Sequence, residues 1–185
     1  PVAPMLPANA PVLAALALPA MYGITRAATV GVSVQLSELR SALESGLRLL
    51  QIREPALATS EREAFARDAV ALCHQFGARV LINSDIALAQ KSGADGVHLT
   101  ARQIATLAVR PPLPLVGTSC HSAQELAHAA AIGCDFAVLG PVKPTESHPG
   151  EQGLGWVKFA AVLATEHATP PLPIYAIGGL SQADL

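Results

Sequence analysis

The sequence predicts an α/β protein of the (β/α)8 TIM-barrel type, with the last βα unit missing from its 185 residues. Three observations predict it. Short apolar runs rich in β-branched residues alternate with helical patterns from Ala20 onward, the signature of a parallel sheet covered by helices. Glycines 46, 77, 93 and 133 each stand one or two residues before an apolar run, where a helix needs a left-handed cap to reverse into a strand. Seven strand–helix units fit between residues 20 and 185 with short connections. That spacing suits a barrel, with a doubly wound sheet as the alternative.

Residues 1–19 form an uncharged lead punctuated by Pro1, Pro4, Pro7 and Pro11, which reads as a linker; the barrel domain is assigned to residues 20–185. Within the lead, the run from Val12 to Leu18 is too short to span a bilayer and Pro19 closes it; no basic segment precedes it as in a signal peptide. Residues 21–25 make the first strand, and a helix follows over 35–44. Residues 47–53 are the second strand, followed by a helix over 60–75 with a capping-box pattern at Thr59-Ser60-Glu61-Arg62-Glu63. Strands three and four, 79–83 and 96–99, flank a short helix over 86–91. A helix over 101–108 leads to strand five at 115–119, and Ser122 is placed to cap the next helix, 123–131. Strands six and seven, 136–140 and 173–177, lie on either side of a helix over 156–166.

Composition narrows the class. Apolar residues are 51% and charged residues 14%, which excludes a disordered chain or a coiled coil. A net charge of −2 gives no basic surface for nucleic acid, and no segment calls for a membrane. Cys73, Cys120 and Cys134 are odd in number and lack metal-ligand spacing, so they read as reduced thiols of a cytoplasmic protein.

In a parallel barrel, chemistry gathers at the C-terminal ends of the strands, and the period of two says which side chains share a face. Leu49, Gln51 and Arg53 share one; so do Leu81 and Asn83, Gly96 and His98, and Gly117, Ser119 and His121. Each strand begins small or apolar and finishes polar. Gln51, Arg53, Asn83, Ser119 and His121 are therefore expected to converge on one mouth, and burying five such groups without a ligand is costly. The amides of Gln51 and Asn83 both give and take hydrogen bonds and suit a heterocycle edge. Arg53 suits a phosphate or carboxylate, and His121 can move a proton near neutral pH. His98 reads as a packed, hydrogen-bonded histidine, and His74, His128 and His167 as surface residues. Cys120, of opposite parity to His121, reads as packing.

Two further phrases point to an anion. Thr145 and Ser147, flanked by Pro144 and His148, make a hydroxyl-rich loop after strand six that can close over one. Ala176-Ile177-Gly178-Gly179-Leu180 ends strand seven in two glycines whose bare backbone N–H groups suit a phosphate.

From Met21 to Leu185 the chain resembles the family of thiamine phosphate synthase and the thiazole tautomerase TenI. The resemblance rests on seven phrases in register: Tyr22-Gly23-Ile24-Thr25, Leu50-Gln51-Ile52-Arg53-Glu54, Leu81-Ile82-Asn83, Ala94-Asp95-Gly96-Val97-His98-Leu99, Gly117-Thr118-Ser119-Cys120-His121, Gly140-Pro141-Val142-Lys143-Pro144-Thr145 and Ala176-Ile177-Gly178-Gly179. It implies a (β/α)8 barrel that joins a hydroxymethylpyrimidine diphosphate to a thiazole phosphate, or shifts a proton on a thiazole carboxylate phosphate. It implies Gln51 and Asn83 at the ring, Arg53, Thr145, Ser147 and His148 around phosphate groups, Gly178 and Gly179 at the thiazole phosphate, and Ser119 and His121 as the catalytic pair. The proline-rich lead resembles the junction in bacterial proteins that fuse a Nudix hydrolase to a domain of this family.

The departures from the synthase pattern are specific. Its Mg²⁺-binding aspartate after Asn83 is Ser84 here, and its second one, after His98-Leu99, is Gln103. Its two lysines are Pro55 and His148. Losing one preorganised electrostatic group typically costs about 10²–10³ in rate, and Mg²⁺ binds poorly without carboxylates. The resemblance therefore implies a metal-free domain that binds a phosphorylated heterocycle, with tautomerase-type proton transfer by His121. Two alternatives accompany it: a genuine synthase that uses Mg²⁺ through Asp85 or Asp95, and a non-catalytic binding module of a Nudix fusion. Assembly into a homo-oligomer is open to any of these readings.

Overall fold

The computed structural model describes residues 18–145, 153–164, 172–181 and 184. Its strands are β1 (Gly23–Ile24), β2 (Leu49–Ile52), β3 (Arg79–Asn83), β4 (Gly96–Leu99), β5 (Leu115–Cys120), β6 (Phe136–Leu139) and β7 (Ile174–Ala176). Its helices are α1 (Ala27–Val30), α2 (Val32–Glu44), α3 (Thr59–Gln75), α4 (Ile86–Ser92), α5 (Ala101–Ile104), α6 (Ala123–Ile132) and α7 (Gly155–Leu163). The strands pair in chain order, all of them parallel. A doubly wound sheet would reverse its order at a switch point; this one does not.

The sheet curls instead. Tyr22, just before β1, and Tyr175 on β7 bring their rings to 5.5 Å, and the Tyr175 hydroxyl donates to the Pro19 carbonyl at 2.6 Å. The first and last described strands thus meet through side chains around a common interior. That interior is a small apolar cluster of Leu49, Leu81, Leu115, Phe136 and Val138. A larger cluster fills the layer between sheet and helices, with Leu50, Ile52, Val80, Ile82 and Val97 from the strands packed on Phe65, Leu88 and Leu126 from α3, α4 and α6. The alternation along each strand therefore sorts side chains between two cores. Gly117 faces the interior because the Phe136 ring occupies the volume its Cβ would need.

Local chemistry explains the boundaries. Gly93 and Gly133 close α4 and α6 in the left-handed conformation, and Ser122 Oγ caps α6 by accepting the Glu125 N–H at 3.2 Å. Asp85 Oδ1 caps α4 on the Leu88 N–H at 2.8 Å.

Several elements differ from expectation. The first strand is two residues long, because Thr25 Oγ1 accepts the Arg53 N–H at 3.0 Å and the chain turns at once into α1, a helix with no strong sequence signal. Its opening N–H groups, of Ala27 and Ala28, donate to the Glu54 carboxylate at 2.6 and 2.8 Å, a cap supplied from a distant loop. The expected capping box on α3 does not form: Ala58 is the N-cap and no side chain caps the helix. The box stands instead at Thr100 and Gln103. α5 stops at Ile104 rather than running to residue 108, since the Thr106 hydroxyl turns back onto the Gln103 carbonyl at 2.9 Å. His128 is half-buried, its Nε2 donating to the Ile104 carbonyl at 3.0 Å, and is not a free surface residue. His167 lies outside the described residues.

Candidate active site

The C-terminal rim of the sheet carries the candidate site. Gln51, Asn83 and Ser119 lie within β2, β3 and β5 and face the interior, on the same side as Leu49, Leu81 and Leu115. Arg53 and His121 were expected on the strands themselves. Each lies one residue beyond its strand and is exposed, so alternation does not set its direction and loop contacts do.

His98 is the centre of the interior arrangement. It is 2% exposed. Its Nδ1 is 3.2 Å from the Tyr22 hydroxyl and its Nε2 is 3.0 Å from Ser119 Oγ. Burial, reinforced by the positive charge of Arg53, lowers its pKa to about 3, so the ring is neutral. Burial also pushes the Tyr22 phenol well above its ordinary value, while a hydrogen bond with Gln51 acts in the opposite direction. Tyr22 was not among the expected site residues, although it opens the phrase Tyr22-Gly23-Ile24-Thr25.

His121 is held from two sides. Its Nδ1 lies 2.6 Å from the Gly140 carbonyl, and its backbone N–H donates to Glu125 Oε2 at 2.5 Å. A carbonyl only accepts, so Nδ1 carries the proton, and Nε2 has no hydrogen-bond partner among the described residues. Cys120, next to it, is fully buried, and burial pushes its thiol up to about 12, which rules out a thiolate nucleophile there.

The phosphate phrases form one packed unit. The Val142 and Lys143 N–H groups donate to the carbonyls of Ile177 and Gly178 at 2.7 and 3.0 Å. Gly178 and Gly179 both have positive φ, 103° and 60°, and a Cβ at either would strike residues 141–144. Lys143 Nζ is 2.5 Å from Asp184 Oδ1, which clamps the loop after β6 to the chain after β7. Thr145 Oγ1 is buried with no hydrogen-bond partner among the described residues. Ser147 and His148 lie outside the described residues.

The positions that would carry Mg²⁺ are occupied differently. Ser84 has the left-handed φ of 62°. Its N–H donates to the His98 carbonyl at 2.8 Å and its hydroxyl accepts from Asn83 Nδ2 at 2.5 Å. Gln103 Nε2 donates to the Ser84 carbonyl at 2.8 Å, while its Oε1 accepts from the Thr100 N–H at 3.1 Å. Asp85 is committed to the α4 cap and stands 3.8 Å from Arg62. Asp95 sits at the opposite end of the sheet, just before β4, accepting from the Val80 N–H at 2.7 Å and facing His74 at 3.0 Å. Neither carboxylate is available, and no group of three metal-type ligands occurs among the described residues. The residues present do not fit a divalent ion held as the synthase pattern requires.

A separate pocket of about 410 Å³ opens on the helix side of β2 and β3, bordered by Ile52, Ile82, Leu88, Arg62 and Asp85; of the expected site residues only Asn83 touches it. No helix among the described residues is long and apolar enough to cross a membrane.

A curled parallel α/β sheet with amide, hydroxyl and imidazole groups at its strand ends defines a protein of the TIM-barrel class, whose chemistry gathers at that rim. Residues 21–185 match the family described as thiamine monophosphate synthase, and the chain belongs to that family. It is 38% identical over 153 residues to a thiamine-phosphate synthase of Parasynechococcus marenigrum, covering 81% of this chain and 43% of that one. It is 33% identical over 168 residues to a thiamine-phosphate synthase of Thiobacillus denitrificans, covering 89% of this chain and 77% of that one. The chain thus spans less than half of the first relative and about three quarters of the second. In fold it is similar to a thiamine phosphate pyrophosphorylase from Pyrococcus furiosus, with a TM-score of 0.69, 23% identity, and 88% and 76% of the two chains covered.

Proposed function

We propose that this domain binds a thiazole phosphate, or a closely related phosphorylated heterocycle, at the rim of the barrel without a divalent metal, and that His121 transfers a proton on the bound ring. The observation that carries the reading is the Gln103–Ser84 hydrogen bond. It joins, as a neutral pair, the two positions that would need carboxylates to hold Mg²⁺ and expel pyrophosphate. Proton transfer needs neither a metal nor a leaving group. With Nδ1–H spent on the Gly140 carbonyl, Nε2 of His121 is the atom that accepts a proton from one position of the ring and returns it to another. Gln51 and Asn83 supply amide edges for the heterocycle. Arg53, the Thr145 hydroxyl, which has no partner among the described residues, and the Gly178-Gly179 turn supply the anion contacts, with Ser147 and His148 assigned to the same anion.

A second reading is the synthase reaction itself, favoured by the names of the P. marenigrum and T. denitrificans relatives. A third, a non-catalytic module beside a fused Nudix enzyme, rests on the proline-rich lead. Calorimetry with thiazole phosphate, with and without Mg²⁺, separates the first two. Equal affinity in both supports the metal-free site. Tight pyrophosphate binding that appears only with Mg²⁺, together with thiamine phosphate formed from both substrates, establishes the synthase. Identical turnover of every thiamine precursor after His121→Asn would favour the module.

A further inference from the structure

The pocket on the helix side of β2 and β3 has no part in the chemistry of the rim. It lies across the sheet from the interior: Ile52 and Ile82 belong to the core between sheet and helices, opposite in alternation to Gln51 and Asn83. Its volume of about 410 Å³ is that of a small-ligand pocket. Ile52, Ile82, Ile86 and Leu88 give it an apolar wall. Two side chains of opposite charge share its border, Arg62 from α3 and Asp85 at the start of α4.

Those two charges face each other without bonding. Arg62 Nη2 stands 3.8 Å from Asp85 Oδ2, outside hydrogen-bond reach. Arg62 Nε is buried with no hydrogen-bond partner among the described residues, which is costly for a donor on a charged group. No hydrogen bond holds Nε, so a small rotation of the side chain brings the Nε edge of the guanidinium to an acceptor in the pocket. The α4 cap uses Asp85 Oδ1, which accepts the Leu88 N–H at 2.8 Å, and Oδ2 is the oxygen turned to Arg62. The other carboxylate at the border, Glu54, is spent on the Ala27 and Ala28 N–H groups at 2.6 and 2.8 Å. A simple anion would gain Arg62 but meet the Asp85 charge; a simple cation would gain Asp85 and meet Arg62. A zwitterion satisfies both, with its carboxylate on the guanidinium fork and its ammonium on Oδ2. An aliphatic side chain on the same molecule would be buried against the isoleucines and Leu88.

We propose that this pocket binds a free α-amino acid with a branched apolar side chain, its carboxylate on Arg62 and its ammonium on Asp85. The site is independent of what the rim binds.

The test follows the Nε–H signals of the whole chain labelled with ¹⁵N-arginine as leucine is added, the Arg62 signal being the one that Arg62→Gln removes. That signal should move saturably with leucine. Isocaproate, which lacks the ammonium, isopentylamine, which lacks the carboxylate, and glycine, which lacks the side chain, should each bind at least about tenfold more weakly. Asp85→Asn, which keeps a residue able to cap α4, should weaken leucine about tenfold. No saturable movement up to about 20 mM leucine would overturn the site. So would isocaproate, isopentylamine or glycine binding as well as leucine, or undiminished leucine affinity in a folded Asp85→Asn variant. If a variant does not fold, the comparison of leucine with its three analogues on the wild type still decides.

Discussion

Gln103 Nε2 lies 2.8 Å from the Ser84 carbonyl oxygen, tying the segment after β4 to the segment after β3 at the rim of the barrel. The bond uses the side chain at one expected metal position to fix the backbone at the other, where Ser84 holds a left-handed φ. Adding Mg²⁺ should therefore leave the affinity of the wild type for phosphate or pyrophosphate unchanged. The paired variant Ser84→Asp, Gln103→Asp should acquire Mg²⁺-dependent pyrophosphate binding by calorimetry. It should also lose about 1–2 kcal/mol of stability with the Gln103 bonds. A wild type that binds pyrophosphate better with Mg²⁺ would refute this account of the rim.

His121→Asn retains an amide able to donate to the Gly140 carbonyl but has no base at the position of Nε2. Proton transfer on a thiazole carboxylate phosphate, followed by NMR, should fall about 10²–10³-fold, while calorimetry finds ligand affinity within about twofold of the wild type. Equal rates in the two proteins would assign the base to another residue.

The fold was legible because its signals are local and repeated. Gly93 and Gly133 marked helix ends, Ser122 marked a helix start, and alternation correctly put Gln51, Asn83 and Ser119 on the interior face. Alternation lost its force at the strand ends, where Arg53 and His121 sit in loops. What tertiary contacts decide was invisible. Glu54 is 4% exposed because α1, distant in sequence, offers it two N–H donors. Tyr22 and His98 matter through partners on other strands. Gln103 read as a lost carboxylate and proved to be an occupied hydrogen-bonding position.

Gly117 marks a tight point of the interior. A Cβ there enters the space of the Phe136 ring, which itself packs edge-on against Tyr22 and Tyr175 at 5.2 and 5.4 Å. Gly117→Ala should cost about 1–3 kcal/mol in urea denaturation, the usual penalty of overpacking. A neutral result would mean that the aromatic cluster yields more easily than its packing indicates.

His98 should leave a mark on stability as a function of pH. Its folded pKa of about 3 lies below the roughly 6.5 of an unfolded histidine. Between those values the unfolded chain binds a proton that the native ring refuses, so stability falls as pH drops through this window and is fully present above it. At pH 5 the loss from this group alone should be about 2 kcal/mol relative to pH 7.5. The groups acting on the ring are Tyr22, Ser119 and the Arg53 charge, and none of them supplies an anion that would welcome a proton. His98→Gln removes the titration, so its urea-denaturation stability should change less between pH 7.5 and pH 5 than that of the wild type by about that amount. Identical pH dependence in the two proteins would mean that His98 is protonated inside the folded barrel.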